Sequence, residues 1–201
     1  MTTRPAPAPV EVTAVALDPH SDGHVSALTC LFRDYLLEDF DRLGYFPPGI
    51  PLANWLRTML IHVDGTPAGF CSVDNKRRAV ELIYVAPAYR GHGIASRLLS
   101  ELRDSCPQSM KLKAPLSPGG QALAVRLGLA VSTPDQAEID SARQSIDQLH
   151  HSLHEHCTHR RTGDPRRPCR RCYRAALKRM AVAMVVNPCE LARRFNALNI
   201  A

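Results

Sequence analysis

A chain of 201 residues with 45% hydrophobic and 22% charged residues has the composition of a soluble globular protein, one ordinary domain with about 40 to 50 residues to spare. Its formal charge of +6 is uneven: residues 157–201 carry 11 Lys and Arg against Asp164 and Glu190, a local balance of +9, and the remainder stands at −3. The longest apolar run, Met180–Val186, falls far short of the ~20 residues of a membrane span, and the Pro/Ala-rich start lacks a signal-peptide core; we expect no membrane partner and a cytoplasmic location.

Residues 1–10 read as a disordered Pro-rich tail. Val12–Leu17 alternates well enough for a first strand, and a helix capped near Asp22 follows, with Val25, Leu28, Leu31, Phe32, Tyr35 and Leu36 at helical spacing. Three prolines in Gly44–Pro51 break it, and a short helix is expected over Leu52–Arg57. Met59–Val63 and Ala68–Val73 are strand-like around Asp64-Gly65, a hairpin signal whose loop Thr66 and Pro67 should lengthen. After a polar turn at Asp74–Arg78, Ala79–Val85 alternates, with Glu81, Ile83 and Val85 on one face and Val80, Leu82 and Tyr84 on the other.

Ala86–Tyr89 ends that strand. A helix over Gly93–Asp104 gathers Ile94, Leu98, Leu99 and Leu102 on one face. A strand at Met110–Leu112, a helix over Gly120–Leu127 and a strand at Leu129–Ser132 complete this part. The character changes at Gln136. Ile139, Ile146, Leu149 and Leu153 suit a long helix that becomes His-rich, and a Cys/His/Arg segment runs on to Cys172. A helix over Arg174–Val185 and another over Cys189–Ala197, started by Asn187-Pro188, close the sequence. The expected division is therefore 1–10, 11–135 and 136–201.

The segment Tyr89-Arg90-Gly91-His92-Gly93-Ile94-Ala95 follows a strand and a proline bend and opens an amphipathic helix. Glycines permit a tight turn and leave N–H groups unobstructed. The helix start adds unpaired N–H groups and the positive end of its dipole, together a seat for a pyrophosphate, and Arg90 adds a cation. Arg90, Gly93 and Ala95 fit the signature of the GNAT superfamily of acyl-CoA N-acyltransferases, and Leu82–Pro87 is similar to the family's fourth strand and its exit. The resemblance spans Val12–Ser132. It implies an α/β fold with a mixed central sheet flanked by helices, acetyl-CoA as acyl donor, and an amine acceptor. It also implies that the backbone of Ile83, Tyr84 and Val85 holds the pantetheine arm, and that N–H groups of Arg90, Gly91, His92, Gly93, Ile94, Ala95 and Ser96 hold the pyrophosphate.

Acyl transfer to an amine needs a base for the amine and a proton for the departing thiolate. Glu81 stands where similar enzymes often carry the acid or base; the alternative is a solvated strand carboxylate. Similar enzymes often place a Tyr four residues before a closing Gly-Phe. Aligned on Gly128, that position is Ala124, so Tyr84 or solvent is left as proton donor; Tyr84 also reads as a packed strand aromatic.

Seven cysteines, an odd number in a chain with no export signal, argue against a disulfide framework. Cys30, Cys71, Cys106 and Cys189 read as small core residues. Cys157-x-His159 and Cys169-x-x-Cys172 supply four ligands of the type zinc prefers, around a loop with little apolar to bury. A structural zinc would give that segment its shape, in a small helical, zinc-stapled appendage. His154 or His156 could replace His159, and the rival reading is a flexible connector with incidental thiols.

Two functions stay open on the sequence. One is an acetyl-CoA-dependent N-acetyltransferase acting on an unidentified amine. The other is a non-catalytic acyl-CoA-binding or nucleic-acid-binding protein on a degenerate domain, with Arg160, Arg161, Arg166, Arg167, Arg170, Arg171 and Arg174 meeting nucleic acid or an acidic protein.

Overall fold

A computed structural model of the chain describes residues 11–43, 49–105, 110–137, 139–140, 143–144, 147, 151, 155, 157–159 and 169–198. Strand-forming runs at Val12–Ala16 (β1), Leu56–Val63 (β2), Thr66–Asp74 (β3) and Ala79–Val85 (β4) pair as an antiparallel meander. Lys111–Lys113 (β5) and Ala130–Ser132 (β6) extend it in parallel, giving a six-stranded mixed sheet in the order β1-β2-β3-β4-β5-β6.

Parallel neighbours require crossovers. Helices Ile94–Ser105 (α2) and Pro118–Leu127 (α3) supply them, the first between β4 and β5 and the second between β5 and β6. Crossovers of one hand bring both helices to the same face, where Ile94, Leu98, Leu99 and Ala124 pack over Ile61, Val80 and Leu112. Helices Asp22–Leu43 (α1) and Arg170–Leu198 (α4) cover the other face. Leu28, Phe32 and Leu36 meet Phe70, Leu82 and Tyr84 there, in one core with Tyr173, Leu177, Ala181 and Val185.

The last helix is therefore built into the core. Tyr173 stacks on Phe40 of α1 with ring centroids 3.8 Å apart and planes at 15°. Arg170 and Arg174 reach Asp41 at 2.7 and 3.0 Å, and the bond from Arg170, the largest influence, lowers the Asp41 pKa. Exposed ion pairs contribute about 0–1 kcal/mol. Full burial of Leu177 and Val185 is worth roughly 1.5–3 kcal/mol each. Packing, not charge, holds α4. Of the seven clustered arginines, two are thus committed to Asp41, and Arg160, Arg161, Arg166 and Arg167 lie outside the described residues.

Several local expectations change. Asp64 and Gly65 both have positive φ (49° and 76°), as a two-residue type I′ turn requires, and Val63 pairs directly with Thr66. The loop is not lengthened, because a register shift at Ile61/His62 absorbs the extra residue. No helix forms over 52–57: the Pro51 carbonyl accepts from Thr58 Oγ1 (2.6 Å) and Ser72 Oγ (2.7 Å), which ties the segment to the sheet, and β2 already begins at Leu56. The two terminal helices are one, starting four residues early where Tyr173 N–H bonds the Cys169 carbonyl, and continuous past Asn187-Pro188. Cys71 is buried as expected, but Cys30 is exposed. The described residues from 136 to 155 are helical, while the 1–10 tail, Cys106, Ile146, Leu149, Leu153 and the candidate ligands His154 and His156 lie outside the described residues.

Gly69 on β3 lies tight against the backbone of β4, since a Cβ there would run into the Tyr84 carbonyl oxygen and come within 3.2 Å of Val85 Cα. Both obstacles are backbone and cannot rotate away. Gly69→Ala should therefore destabilise the fold by about 1–3 kcal/mol, measured as a lower midpoint in urea at unchanged slope.

Candidate functional site

Past Val85 the chain makes a tight turn over Pro87–Tyr89, closed by Tyr89 N–H to the Ala86 carbonyl (2.9 Å) and Arg90 N–H to the Pro87 carbonyl (3.3 Å). Gly91 (φ 83°) and Gly93 (φ 73°) then redirect it into α2 through left-handed conformations that other residues adopt at a cost. A Cβ on either would meet nothing within 4 Å, so both backbones face open space. The first bond of α2 runs from Arg97 N–H to the Gly93 carbonyl (2.9 Å), which leaves the N–H groups of Ile94, Ala95 and Ser96 without partners inside the helix.

These groups open onto a cleft of about 250 Å³. Its walls are Val85, Tyr89, Gly91 and Gly93–Ser96 on one side, and Gly119, Leu123 and Arg126 of α3 on the other. Ser117 caps α3, its Oγ accepting from Gly120 N–H at 3.1 Å, and Gly128 closes it in a left-handed conformation. Arg126 has no hydrogen-bond or ion-pair partner among the described residues. Nothing in the sequence near Arg126 marked it; only the packing of α3 beside the start of α2 brings it to the cleft.

Arg90 is placed differently from the expectation. Its guanidinium makes two 2.7 Å bonds to the Glu38 carboxylate of α1, donates from Nε to the Val85 carbonyl (2.8 Å) and lies 5.5 Å over the Tyr84 ring. The bond to Glu38 is the main cause raising its pKa. Its charge is neutralised on the α1 side of the sheet, and its N–H is already engaged by Pro87. His92 folds its Nδ1 to within 3.2 Å of the Arg90 carbonyl oxygen.

β4 and β5 pair only at Ala79–Lys111 and Val80–Leu112. From Glu81 onward the edge of β4 that faces β5 has no strand partner among the described residues, so the strands diverge beside the cleft. A register shift against β3, with Val73 opposite Val80 and Ser72 opposite Leu82, leaves Glu81 as the extra residue of a bulge. The alternation expected for β4 breaks there. Val80 shares the α2/α3 cluster with Ile83 and Val85, whereas Leu82 and Tyr84 join the α1 cluster. Glu81 and Lys113 form a 2.9 Å ion pair across the start of the divergence, their side chains 12% and 21% exposed. Glu81 also adds slightly to the raised pKa of Tyr35 on α1, an effect due first to burial and then to Asp39.

Tyr84 points away from the cleft, among Tyr35 and Phe70. Burial first, and then the Glu38 charge, pushes its hydroxyl up to about 12. Ala124 is buried in the α2/α3 core. The cleft face of α3 therefore offers no hydroxyl or carboxyl group in place of the expected Tyr. Among the cleft residues foreseen from sequence, the structure unites Val85 with Gly91, Gly93, Ile94, Ala95 and Ser96. Ile83 lies on the same strand face but outside the lining.

At the far side of the fold, Cys157, His159, Cys169 and Cys172 converge, with one ligand atom from each within 4.8 Å of all the others. Cys169 immediately precedes α4 and Cys172 sits in its first turn, so the C-x-x-C spacing aims both thiols the same way. His159 Nδ1 stands 3.3 Å from Cys172 Sγ and 3.9 Å from Cys157 Sγ. N–H groups at the start of α4, chiefly that of Cys172, lower the Cys169 pKa, while desolvation and the crowding thiols push Cys172 up to about 11. A Cys₃His set of this size suits a single tetrahedral ion with Zn–S bonds of about 2.3 Å.

The sequence profile of the Acetyltransferase (GNAT) family matches residues 26–127. Among solved structures, an aminoglycoside N-acetyltransferase, AAC(6')-Iy, in complex with CoA is similar at 19% identity, covering 65% of this chain and 94% of its own, with a TM-score of 0.43. A ribosomal-protein-alanine N-acetyltransferase from Brucella melitensis biovar Abortus 2308 is similar at 19% identity, over 70% of this chain and 90% of its own, with a TM-score of 0.35. An acetyltransferase from Salmonella typhimurium that modifies the N-terminal serine of a 50S ribosomal subunit protein matches at 15% identity, over 58% and 78%, with a TM-score of 0.38. No curated protein matches by sequence. Among the described residues no helix is long and apolar enough to cross a membrane.

Proposed function

The chain belongs to the GNAT acetyltransferase family, and on that ground we propose that it transfers an acetyl group from acetyl-CoA to the nitrogen of an amine. The observation that carries this reading is the row of N–H groups at the start of α2 with no partner among the described residues, opening on a cleft beside the divergence of β4 and β5. The pyrophosphate sits on the N–H groups of Gly91–Ser96, with Arg126 as its cation. The arm lies along the free edge of β4 at Ile83, Tyr84 and Val85, and its thioester comes to rest near the Glu81 bulge. A backbone N–H of β4 there holds the developing oxyanion.

Glu81 takes the proton of the attacking amine. Tyr84 stays protonated through the neutral range but points away from the cleft, so solvent is the proton donor for the leaving thiolate. Glu81→Gln should lower turnover by about 100-fold, the low end of what a general base supplies, with the deepest loss on the acidic side of the profile, where neutral amine is scarce. The measurement is coenzyme A release with a panel of amines, beside calorimetric coenzyme A binding. A non-catalytic acyl-CoA-binding role is favoured by one feature, the burial of Ala124 where a proton donor would stand. Unchanged rates in Glu81→Gln at every pH, or binding with no transfer to any amine, would decide for that role.

We further propose a structural zinc ion held by Cys157, His159, Cys169 and Cys172, which would supply a crosslink between the segment before residue 160 and the first turn of α4.

A further inference from the structure

We propose that Lys113 is itself an acyl acceptor, so that the bound donor acylates the protein at this side chain. The inference rests on the reading of the cleft as an acyl-CoA site and goes one step beyond it. Lys113 is the last residue of β5, and Glu81 is the extra residue of the β4 bulge. The two strands are joined at Val80–Leu112 and part immediately afterwards. The Lys113 Nζ to Glu81 Oε1 bond of 2.9 Å therefore bridges the floor of the gap into which a thioester would extend. Both groups are largely shielded from water, and the amine already occupies the place beside the carboxylate that an acceptor amine would take.

The step balances with the donor alone. Glu81 receives a proton from the Lys113 ammonium, and the freed nitrogen lone pair attacks the thioester carbonyl. The tetrahedral adduct collapses with cleavage of the C–S bond, leaving an amide on Lys113. The thiolate of coenzyme A takes the second proton, which the adduct nitrogen sheds as the amide forms, and departs as the thiol, while the proton on Glu81 passes to solvent. Acylation removes the Lys113 charge and breaks the ion pair, which returns Glu81 as an unpaired carboxylate. The same event thus converts the base from a paired to a free state.

The chain suits a direct test, because its four lysines are Lys76, Lys111, Lys113 and Lys178. The intact protein is incubated with acetyl-CoA alone, weighed by mass spectrometry and mapped by peptide, with coenzyme A affinity measured in parallel. One acetyl mass should appear on Lys113 ahead of the other three lysines, at a rate independent of protein concentration. It should be absent from Lys113→Arg and slowed by about 100-fold in Glu81→Gln. Lys113→Arg retains a cation for Glu81, so a folded variant that binds coenzyme A normally is the control. Coenzyme A binding without acetylation, or acetylation spread evenly over the lysines and unchanged in denatured protein, overturns the proposal and leaves the cleft assignment standing. Absence of coenzyme A binding removes both.

Discussion

A Gly93→Glu variant should fold as the parent does and lose coenzyme A affinity by about 100-fold or more. Gly93 has a φ of 73° and a Cβ there would face only open space, so no packing is lost when a side chain is added. The left-handed conformation costs a non-glycine residue about 1–2 kcal/mol, a penalty that Gly93→Ala bears equally. What Glu adds is a carboxylate in the mouth of the cleft, where N–H groups and Arg126 await an anion. Two like charges about 4 Å apart near a protein surface repel by up to ~4 kcal/mol, and half of that, added to steric exclusion, gives the stated loss. The Ala variant should keep most of its affinity, and the comparison by calorimetry isolates charge from strain. Unchanged affinity in a folded Glu variant would move the coenzyme away from the start of α2.

The difference between Arg90 and Arg126 shows what a linear reading can and cannot see. The glycines that bend the backbone act locally, and strand, bend and helix are consecutive in the chain, so the cradle was legible. So were the sheet and its helices from about residue 12 to 132, because period-two and helical apolar patterns register burial wherever the partner lies. The target of a charged side chain depends on a distant element. Arg90 turns to Glu38, 52 residues earlier, and Arg126 reaches the cleft because two crossovers of one hand bring α3 beside α2. The Glu81 bulge was equally hidden, since an inserted residue is defined by the register of the neighbouring strand, and with it went the prediction that Glu81 shares the face of Val85. Lys113 escaped for the same reason: a single basic residue in a three-residue strand carries no pattern. How α4 is held was hidden by composition. Its arginines suggested a separate basic segment, while Tyr173, Leu177, Ala181 and Val185, spaced to form one stripe, bury it against α1.

Removing the proposed zinc should lower stability without closing the cleft. In isolated zinc-finger peptides the metal is worth about 10–16 kcal/mol and folding fails without it. Here the burial of α4 in the α1 core is independent of the metal, so the loss should be confined to what the crosslink adds. That comprises order in the segment around Cys157 and His159, and a fixed first turn of α4 with its Phe40–Tyr173 stack and Asp41 pairs. We expect about 3 kcal/mol for a Cys169→Ser/Cys172→Ser double variant, a fall in Tm of roughly 6–12 °C for a chain of this size, with a matching effect of chelator on the parent. The cleft lies on the α2/α3 face and the cysteines at the α1/α4 side, so coenzyme A affinity should stay within about threefold. Metal analysis, a thermal scan and calorimetry on the same preparations separate the outcomes. Less than one zinc per chain after metal-replete purification, or zinc retained in full by the double variant, would remove the site. An equal loss of coenzyme A affinity would mean that α4 supports the sheet beneath the cleft through Phe70 and Tyr84, and that the metal holds the donor site as well as the terminal helix.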